Sequence, residues 1–260
     1  MKNFKFINIE IDTSIALVTL NRPPVNALNH QFEEEIDTIF DDLDKMPDVR
    51  VVIITGAGNK AFMAGADIKE IISFDENNAI QMSAGSQKVF NKIESSEKII
   101  IAAINGLALG GGCELSIACD IRVADETALF GFPEVKLGLM PGAGGTQRLT
   151  RLVGVGNAKK MILTGNPITA QIAYEIGLIE QVCQKGDCVK EAQKIAKQIV
   201  SNGPLAIVNS KKAINKGLET IFEDGLRMET KLFSDLFNTE DRKEGINAFL
   251  EKRKPEFKNK

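Results

Sequence analysis

Residues 99–119 read Ile-Ile-Ile-Ala-Ala-Ile-Asn-Gly-Leu-Ala-Leu-Gly-Gly-Gly-Cys-Glu-Leu-Ser-Ile-Ala-Cys, with only Asn105, Glu114 and Ser116 polar. A membrane span takes about 20 apolar residues, so the length alone would fit one. The glycines do not fit. Gly106 and the triplet Gly110–Gly112 interrupt any helix, each at a cost of roughly 1 kcal/mol against alanine. A glutamate in hydrocarbon is costly as well. A buried strand over Ile99–Ile104, a glycine turn and a buried helix start near Gly111 account for the same letters. The stretch is therefore read as the core of a water-facing fold, with no membrane partner.

The same grammar recurs on either side. Upstream, Val51–Thr55 is a buried strand that ends in Gly56-Ala57-Gly58. Before it, Phe4–Ile11 and Ile15–Leu20 read as a hairpin turning at Asp12–Ser14. Phe32, Ile36, Ile39, Phe40, Leu43 and Met46 follow the spacing of one helix face. A short helix is expected from Asp67 and a longer one over 78–96. Downstream, Ile121–Ala124 and Ala128–Phe130 read as short strands. Strand, glycine-rich loop and helix in repeated order predict an α/β core with interior strands covered by helices. After about residue 184 only helical periodicity remains, broken at Gly203-Pro204, Gly217 and near Asn238. Residues 184–260 carry 16 Lys+Arg against 12 Asp+Glu, whereas the first 183 carry 16 against 23. An acidic core, 1–195, followed by a helical region, 196–260, is the expected division.

Composition narrows function by exclusion. With 260 residues, one or two domains are expected. A net charge of −3 gives no basic field for nucleic acid or membrane, and one Tyr with no Trp leaves little to stack bases on. The single histidine, His30, excludes histidine-rich zinc sites and reads as a residue at a helix start. Cys113, Cys119, Cys183 and Cys188 form no CxxC, so zinc ribbons and thioredoxin-like redox lack support. The opening MKNFKFINIEID has no continuous apolar run of the kind a signal peptide needs. A cytoplasmic location with free thiols is expected.

Nine of the 22 glycines fall between residues 105 and 145. Glycine turns that open helices leave N–H groups free for a ligand, so chemistry is sought there. Glu114 sits among apolar neighbours. Burial would raise its pKa toward neutrality and suit it to proton transfer; pairing with Arg122 is the purely structural alternative. Glu134, in Phe130-Gly-Phe-Pro-Glu134, follows Pro133 at a helix entry, where an acid is favoured by the helix dipole. Its functional reading is a second carboxyl facing the same cavity. Met140-Pro-Gly-Ala-Gly-Gly-Thr146 suits a tight turn into a helix. Gly56-Ala-Gly-Asn-Lys-Ala61 matches a dinucleotide fingerprint only weakly, because the next helix signal stands at Asp67. Neither a P-loop nor a G-x-S-x-G elbow is present.

Taken together, Lys60-Ala-Phe-Met-Ala-Gly-Ala-Asp-Ile-Lys69, Asn105-Gly-Leu-Ala-Leu-Gly-Gly-Gly-Cys-Glu114, Phe130-Gly-Phe-Pro-Glu134 and Pro141-Gly-Ala-Gly-Gly-Thr-Gln-Arg148 occur in one order. This combination resembles the enoyl-CoA hydratase (crotonase) family. The resemblance runs from Asn21-Arg-Pro-Pro-Val-Asn-Ala-Leu-Asn29 to Ala248-Phe-Leu-Glu-Lys-Arg-Lys254. It implies a spiral of β-β-α units with a C-terminal helical region for trimer contacts, as a homotrimer or a dimer of trimers.

The implied activity is reversible hydration of trans-2-enoyl-CoA to 3-hydroxyacyl-CoA, in fatty-acid β-oxidation or related acyl-CoA metabolism. No metal and no redox cofactor is implied, coenzyme A being part of the substrate. Glu114 and Glu134 match the two glutamates that handle water and proton, in an order the resemblance leaves open. Ala66 and Gly111 match the two amides of the oxyanion hole, and Gly142 a residue that helps place the water. Val25, Ala27, Ala64, Asp67, Ile68 and Lys69 match segments that line the CoA moiety. Lys252-Arg-Lys254 offers charge for a CoA phosphate, and Phe132 bears on the acyl pocket. Two other readings stay open: an enoyl-CoA isomerase, although many of these keep only one of the two glutamates, and an RNA-binding branch for which Lys211, Lys212 and Lys216 would supply the basic face.

Overall fold

The structure, a computed structural model, describes residues 4–260. It opens with strands β1 (Ile7–Asp12) and β2 (Ile15–Leu20), paired as an antiparallel hairpin. Helix α1 (His30–Asp44) follows, capped by the Asn29 side chain, which accepts from Phe32 N at 3.0 Å. Its buried face is Phe32, Ile36, Ile39, Phe40 and Leu43, five of the six residues of the predicted row; Met46, the sixth, lies past the helix end and is half-buried. Then come β3 (Val51–Gly56), β4 (Ala61–Ala64), the one-turn α2 (Ile68–Ile71) and α3 (Glu76–Ser95). Asp75 and Asn78 form a reciprocal capping box that fixes where α3 begins.

Two further turns repeat that order. The first comprises β5 (Ile99–Ile104), β6 (Leu107–Leu109) and α4 (Gly111–Ala118). The second comprises β7 (Ile121–Asp125), β8 (Leu129–Gly131), a 3-10 turn over Pro133–Leu137 and α5 (Gly145–Thr164). Each turn lays its first strand in one sheet and its second strand in another. The larger sheet has the order β1-β2-β3-β5-β7 and ends on β10 (Gln181–Cys183). The smaller runs β4-β6-β8 and ends on β9 (Ile168–Thr169). Helix α6 (Ala170–Glu175) joins the last two strands, and α7 (Cys188–Val200) follows β10. The β2–β3, β3–β5 and β5–β7 pairings are parallel, as are β4–β6 and β6–β8. Parallel pairings with helical connections bury both faces of the inner strands. Every residue of β3 and β5 is accordingly buried.

The stretch that could pass for a membrane span is β5, a turn, β6 and α4. Seven of the eight residues of α4 are buried, so the helix is apolar all round because it lies inside the protein. Among the described residues no helix is long and apolar enough to cross a membrane. All four cysteines are free.

The first strand begins at Ile7, three residues after its expected start at Phe4, and the other expected elements stand within two residues of their predicted bounds. Of the smaller sheet only β8 was anticipated, as Ala128–Phe130; β4, β6 and β9, like β10 of the larger sheet, are only two to four residues long and gave no sequence signal. Two compact units emerge, one ending at Lys194 and the other spanning Ile195–Lys260. In the second, α8 (Pro204–Gly217) packs on α9 (Phe222–Asp235), and Asn209 donates to Leu232 O at 3.0 Å. Helix α10 (Glu240–Leu250) holds the chain end: the Asp241 carboxylate accepts from Lys258 N at 2.6 Å and Asn259 N at 2.9 Å.

Candidate active site

The smaller sheet delivers two backbone turns side by side. After β4, Gly65 begins a turn. After β6, Gly110 begins another, with φ of +52°. A side chain on Gly110 would strike both neighbours. Its Cβ would lie 2.9 Å from Glu134 Oε1 and 3.4 Å from Gly65 Cα. Gly110 therefore has two reasons to be glycine, and the same contacts show that the turns holding Ala66 and Gly111 converge beside the Glu134 carboxyl. Gly111 is the first residue of α4, so its N–H has no partner within the helix. Ala66 forms a parallel bridge with Leu28 that runs through Leu28 N to Gly65 O and Asp67 N to Leu28 O. The Ala66 amide takes no part in it.

Glu114 lies one turn into α4 and is 3% exposed. Its Oε1 accepts from Ala143 N and Gly145 N, each at 2.8 Å. Burial pushes its pKa up; the two amides and the Arg148 guanidinium pull it back. The alternative of pairing with Arg122 is corrected here. Arg122 donates to Glu180 at 2.6 Å and to the carbonyls of Leu178 and Cys119. Glu134, on the 3-10 turn that follows Pro133, has its pKa pushed up to about 7, first by burial and further by the nearby Glu114 charge. Its Oε2 is buried and meets no donor among the described residues. Two carboxyls thus share one neighbourhood with different partners, the condition for dividing acid and base work.

The segments matched to CoA contacts are stitched together. Ala64 N donates to Val25 O at 3.0 Å, and Arg22 bridges Ala27 O and the Asp67 carboxylate, both at 2.6 Å. Asp67 also caps α2 by accepting from Lys69 N, and the Arg22 guanidinium holds its carboxyl below the usual range. Ile68 and Lys69 are exposed. The Gly142 carbonyl faces α3, accepting from Ser83 Oγ and Gln87 Nε2, both at 2.7 Å.

Other sequence candidates fall away. Gly56–Gly58 is pinned by the Asn105 side chain, and β4 rather than a helix follows it, so no dinucleotide turn exists there. His30 is exposed on the first turn of α1 beside Glu34. Lys211 is buried and Lys216 pairs with Glu219 at 2.8 Å, so the three lysines do not form an open basic face. Sequence reasoning missed Arg148, Ser83 and Gln87. The capping signal at Asp75 could have set the register of the latter two on α3, but nothing local indicates that they meet residue 142.

The chain matches, over residues 10–260, the family described as enoyl-CoA hydratase/isomerase. It is 46% identical to the short-chain-enoyl-CoA hydratase of Clostridium acetobutylicum, covering 97% of each chain. Identity to the crotonyl-CoA hydratase of Syntrophomonas wolfei is 45%, over 99% of each. A crystal structure of enoyl-CoA hydratase from Bacillus anthracis superposes with a TM-score of 0.95 at 42% identity, covering 98% of this chain and all of that one. The chain belongs to the enoyl-CoA hydratase/isomerase family, and its fold is the crotonase fold that the repeated β-β-α turns describe.

Proposed function

We propose that the protein reversibly hydrates a short trans-2-enoyl-CoA to the 3-hydroxyacyl-CoA. The observation that carries this reading is the buried Glu114 carboxyl and the half-buried Glu134 carboxyl beside two glycine turns. Glu114, fed by two amides on Oε1, keeps a basic oxygen for water. It takes a proton from that water as the hydroxyl adds to C3. Charge moves onto the thioester oxygen, where the N–H groups of Ala66 and Gly111 receive it; donors aimed at a developing oxyanion contribute about 3–4 kcal/mol each. Glu134, held protonated near neutrality, delivers its proton to C2. Water is added across the double bond with no change of oxidation state, and the two carboxyls recover their protonation through solvent. Gly142 helps place the water. Val25, Ala27, Ala64, Asp67, Ile68 and Lys69 line the CoA path.

The names of the relatives support short acyl chains as substrates. A homotrimer or dimer of trimers in the cytoplasm, serving fatty-acid β-oxidation or related acyl-CoA breakdown, completes the reading. The test is to add protein to crotonyl-CoA and follow loss of the conjugated enoyl-thioester absorbance. Hydration is expected. Conversion of a 3-enoyl-CoA with no hydration of crotonyl-CoA would instead make the chain an isomerase.

A further inference from the structure

We propose that Ser83 and Gln87 are positioning residues for Glu114, acting through the peptide group that joins Gly142 to Ala143. The carbonyl of that group accepts from Ser83 Oγ and Gln87 Nε2, both at 2.7 Å, and its N–H donates to Glu114 Oε1 at 2.8 Å. One rigid amide plane is thus held from both ends. Donors on the oxygen draw electron density away from the nitrogen, so the N–H becomes a stronger donor to the carboxylate. The second amide on Glu114, Gly145 N, is prepared in the same way. Its peptide carbonyl, Gly144 O, accepts from Gln147 N at 3.0 Å and Arg148 N at 2.9 Å.

The arrangement extends along α3. Ser83, Gln87, Asn91 and Glu94 succeed one another at helical spacing and share a face. Asn91 and Glu94 hold Arg148, at 2.5 Å and 2.9 Å, and Arg148 in turn donates to Ala143 O at 3.1 Å. The face of α3 therefore grips both carbonyls of the 142–143 turn, and Ser83 and Gln87 are the two that grip the peptide bonded to the carboxylate. Ser83 also accepts within the pair, since Gln87 Nε2 donates to its hydroxyl oxygen at 3.1 Å.

The charged and titratable groups facing Glu114 are Arg148 from α5, with Glu94 of α3 behind it, Glu134 from the 3-10 turn and Cys113 on its own helix. Strands β4 and β6 contribute none. Neither Ser83 nor Gln87 carries charge, so replacing them alters the carboxyl only through the shared peptide. The kinetic arm of the proposal rests on the hydratase reading; the titration arm does not.

The experiment uses the full chain with Ser83→Ala, Gln87→Met, the double variant and Ser83→Thr. The Glu114 carboxyl is titrated by carbon-13 NMR, its signal assigned by its loss in Glu114→Gln. In the double variant the Glu114 midpoint should rise by about half a pH unit, because weaker donation favours the protonated form. With crotonyl-CoA, the acidic limb of kcat/KM should move up by the same amount. The turnover kcat should fall about fivefold per lost donor, the equivalent of one ordinary hydrogen bond, with KM within twofold. Ser83→Thr should retain the wild-type profile. An unmoved Glu114 midpoint overturns the proposal. So does a rate loss that is uniform in pH and tracks lowered thermal stability, which would mark a merely structural contact. If the wild type hydrates nothing, the hydratase reading fails and the NMR midpoint alone decides the role of Ser83 and Gln87.

Discussion

At the scale of single residues, the division of labour between Glu114 and Glu134 follows from their partners. Glu114 has two amide donors on one oxygen. Glu134 has a buried oxygen with none among the described residues. Replacing either by glutamine should lower turnover on crotonyl-CoA by about 10² to 10⁴, the usual range for a lost acid or base, while CoA binding measured by calorimetry changes little. Near-normal rates in either variant would sink the two-carboxyl mechanism. A pH signature belongs to Glu134, whose pKa is raised from about 4.5 to about 7. As the proton donor it must be protonated, so hydration should decline as pH rises through about 7. The same shift has a sign for stability. The folded protein binds this proton more tightly than the unfolded chain does, so its contribution is full below about 4.5 and is lost as pH climbs to about 7. Melting temperatures of the wild type should lose this increment across that window, whereas Glu134→Gln should not. Glu114 was legible as a charge in an apolar run. Its actual partners, amides some thirty residues downstream, were not, because backbone donors carry no residue-type signal. Arg122, the obvious cation nearby in sequence, goes elsewhere for the same reason of distance: Glu180 lies 58 residues further along the chain and beside it in the sheet.

Among elements, glycine placement separates packing from chemistry. Gly112, one residue into α4, presses on the backbone of β4: a Cβ there would come 1.8 Å from Met63 O. Gly111 is different, since its nearest neighbour to such an atom is Leu28 Cδ2 at 3.9 Å. Gly112→Ala should therefore destabilise by about 3 kcal/mol, the top of the overpacking range, because a main-chain carbonyl cannot turn aside. Gly111→Ala should fold with an unchanged denaturation midpoint. Urea titrations of the two variants test the contrast; equal losses would mean that α4 and β4 do not meet as described. The triplet was readable as a turn into a helix, but which of its glycines the packing requires was hidden, because the atom that excludes a side chain belongs to β4, a strand the sequence did not show. β3 and β5 announced themselves through unbroken runs of Val and Ile. β4 and β6 did not: with four and three residues, they hold too few side chains for periodicity to register. They matter more to the site than the long strands do, since Gly65 and Gly110 stand at their ends.

For the whole molecule, the surface of the Ile195–Lys260 unit bears on assembly. Phe222, Phe249 and Leu250 are 74%, 82% and 71% exposed, and Ile214 and Leu218 are 65% and 68% exposed. Scattered apolar residues are ordinary on a surface, but several large ones within 66 residues of helix are the usual mark of a subunit contact. Their sequence signal was ambiguous, because amphipathic helices show an apolar face whether they cover their own core or a neighbour's. Closed rings are the common outcome when a single such surface is repeated by rotation. With a chain mass of 28.4 kDa, light scattering coupled to size exclusion should return three or six times that mass at micromolar concentration. Phe249→Asp together with Leu250→Asp should lower the assembled mass, since burying two carboxylates in an apolar contact is strongly unfavourable. The helical content read by circular dichroism should stay unchanged, because both side chains face solvent in the isolated chain. A wild-type mass equal to one chain would remove the trimer from the reading. The site built from Glu114, Glu134, Ala66 and Gly111 would be unaffected by that result, because every one of those residues lies in the unit that ends at Lys194.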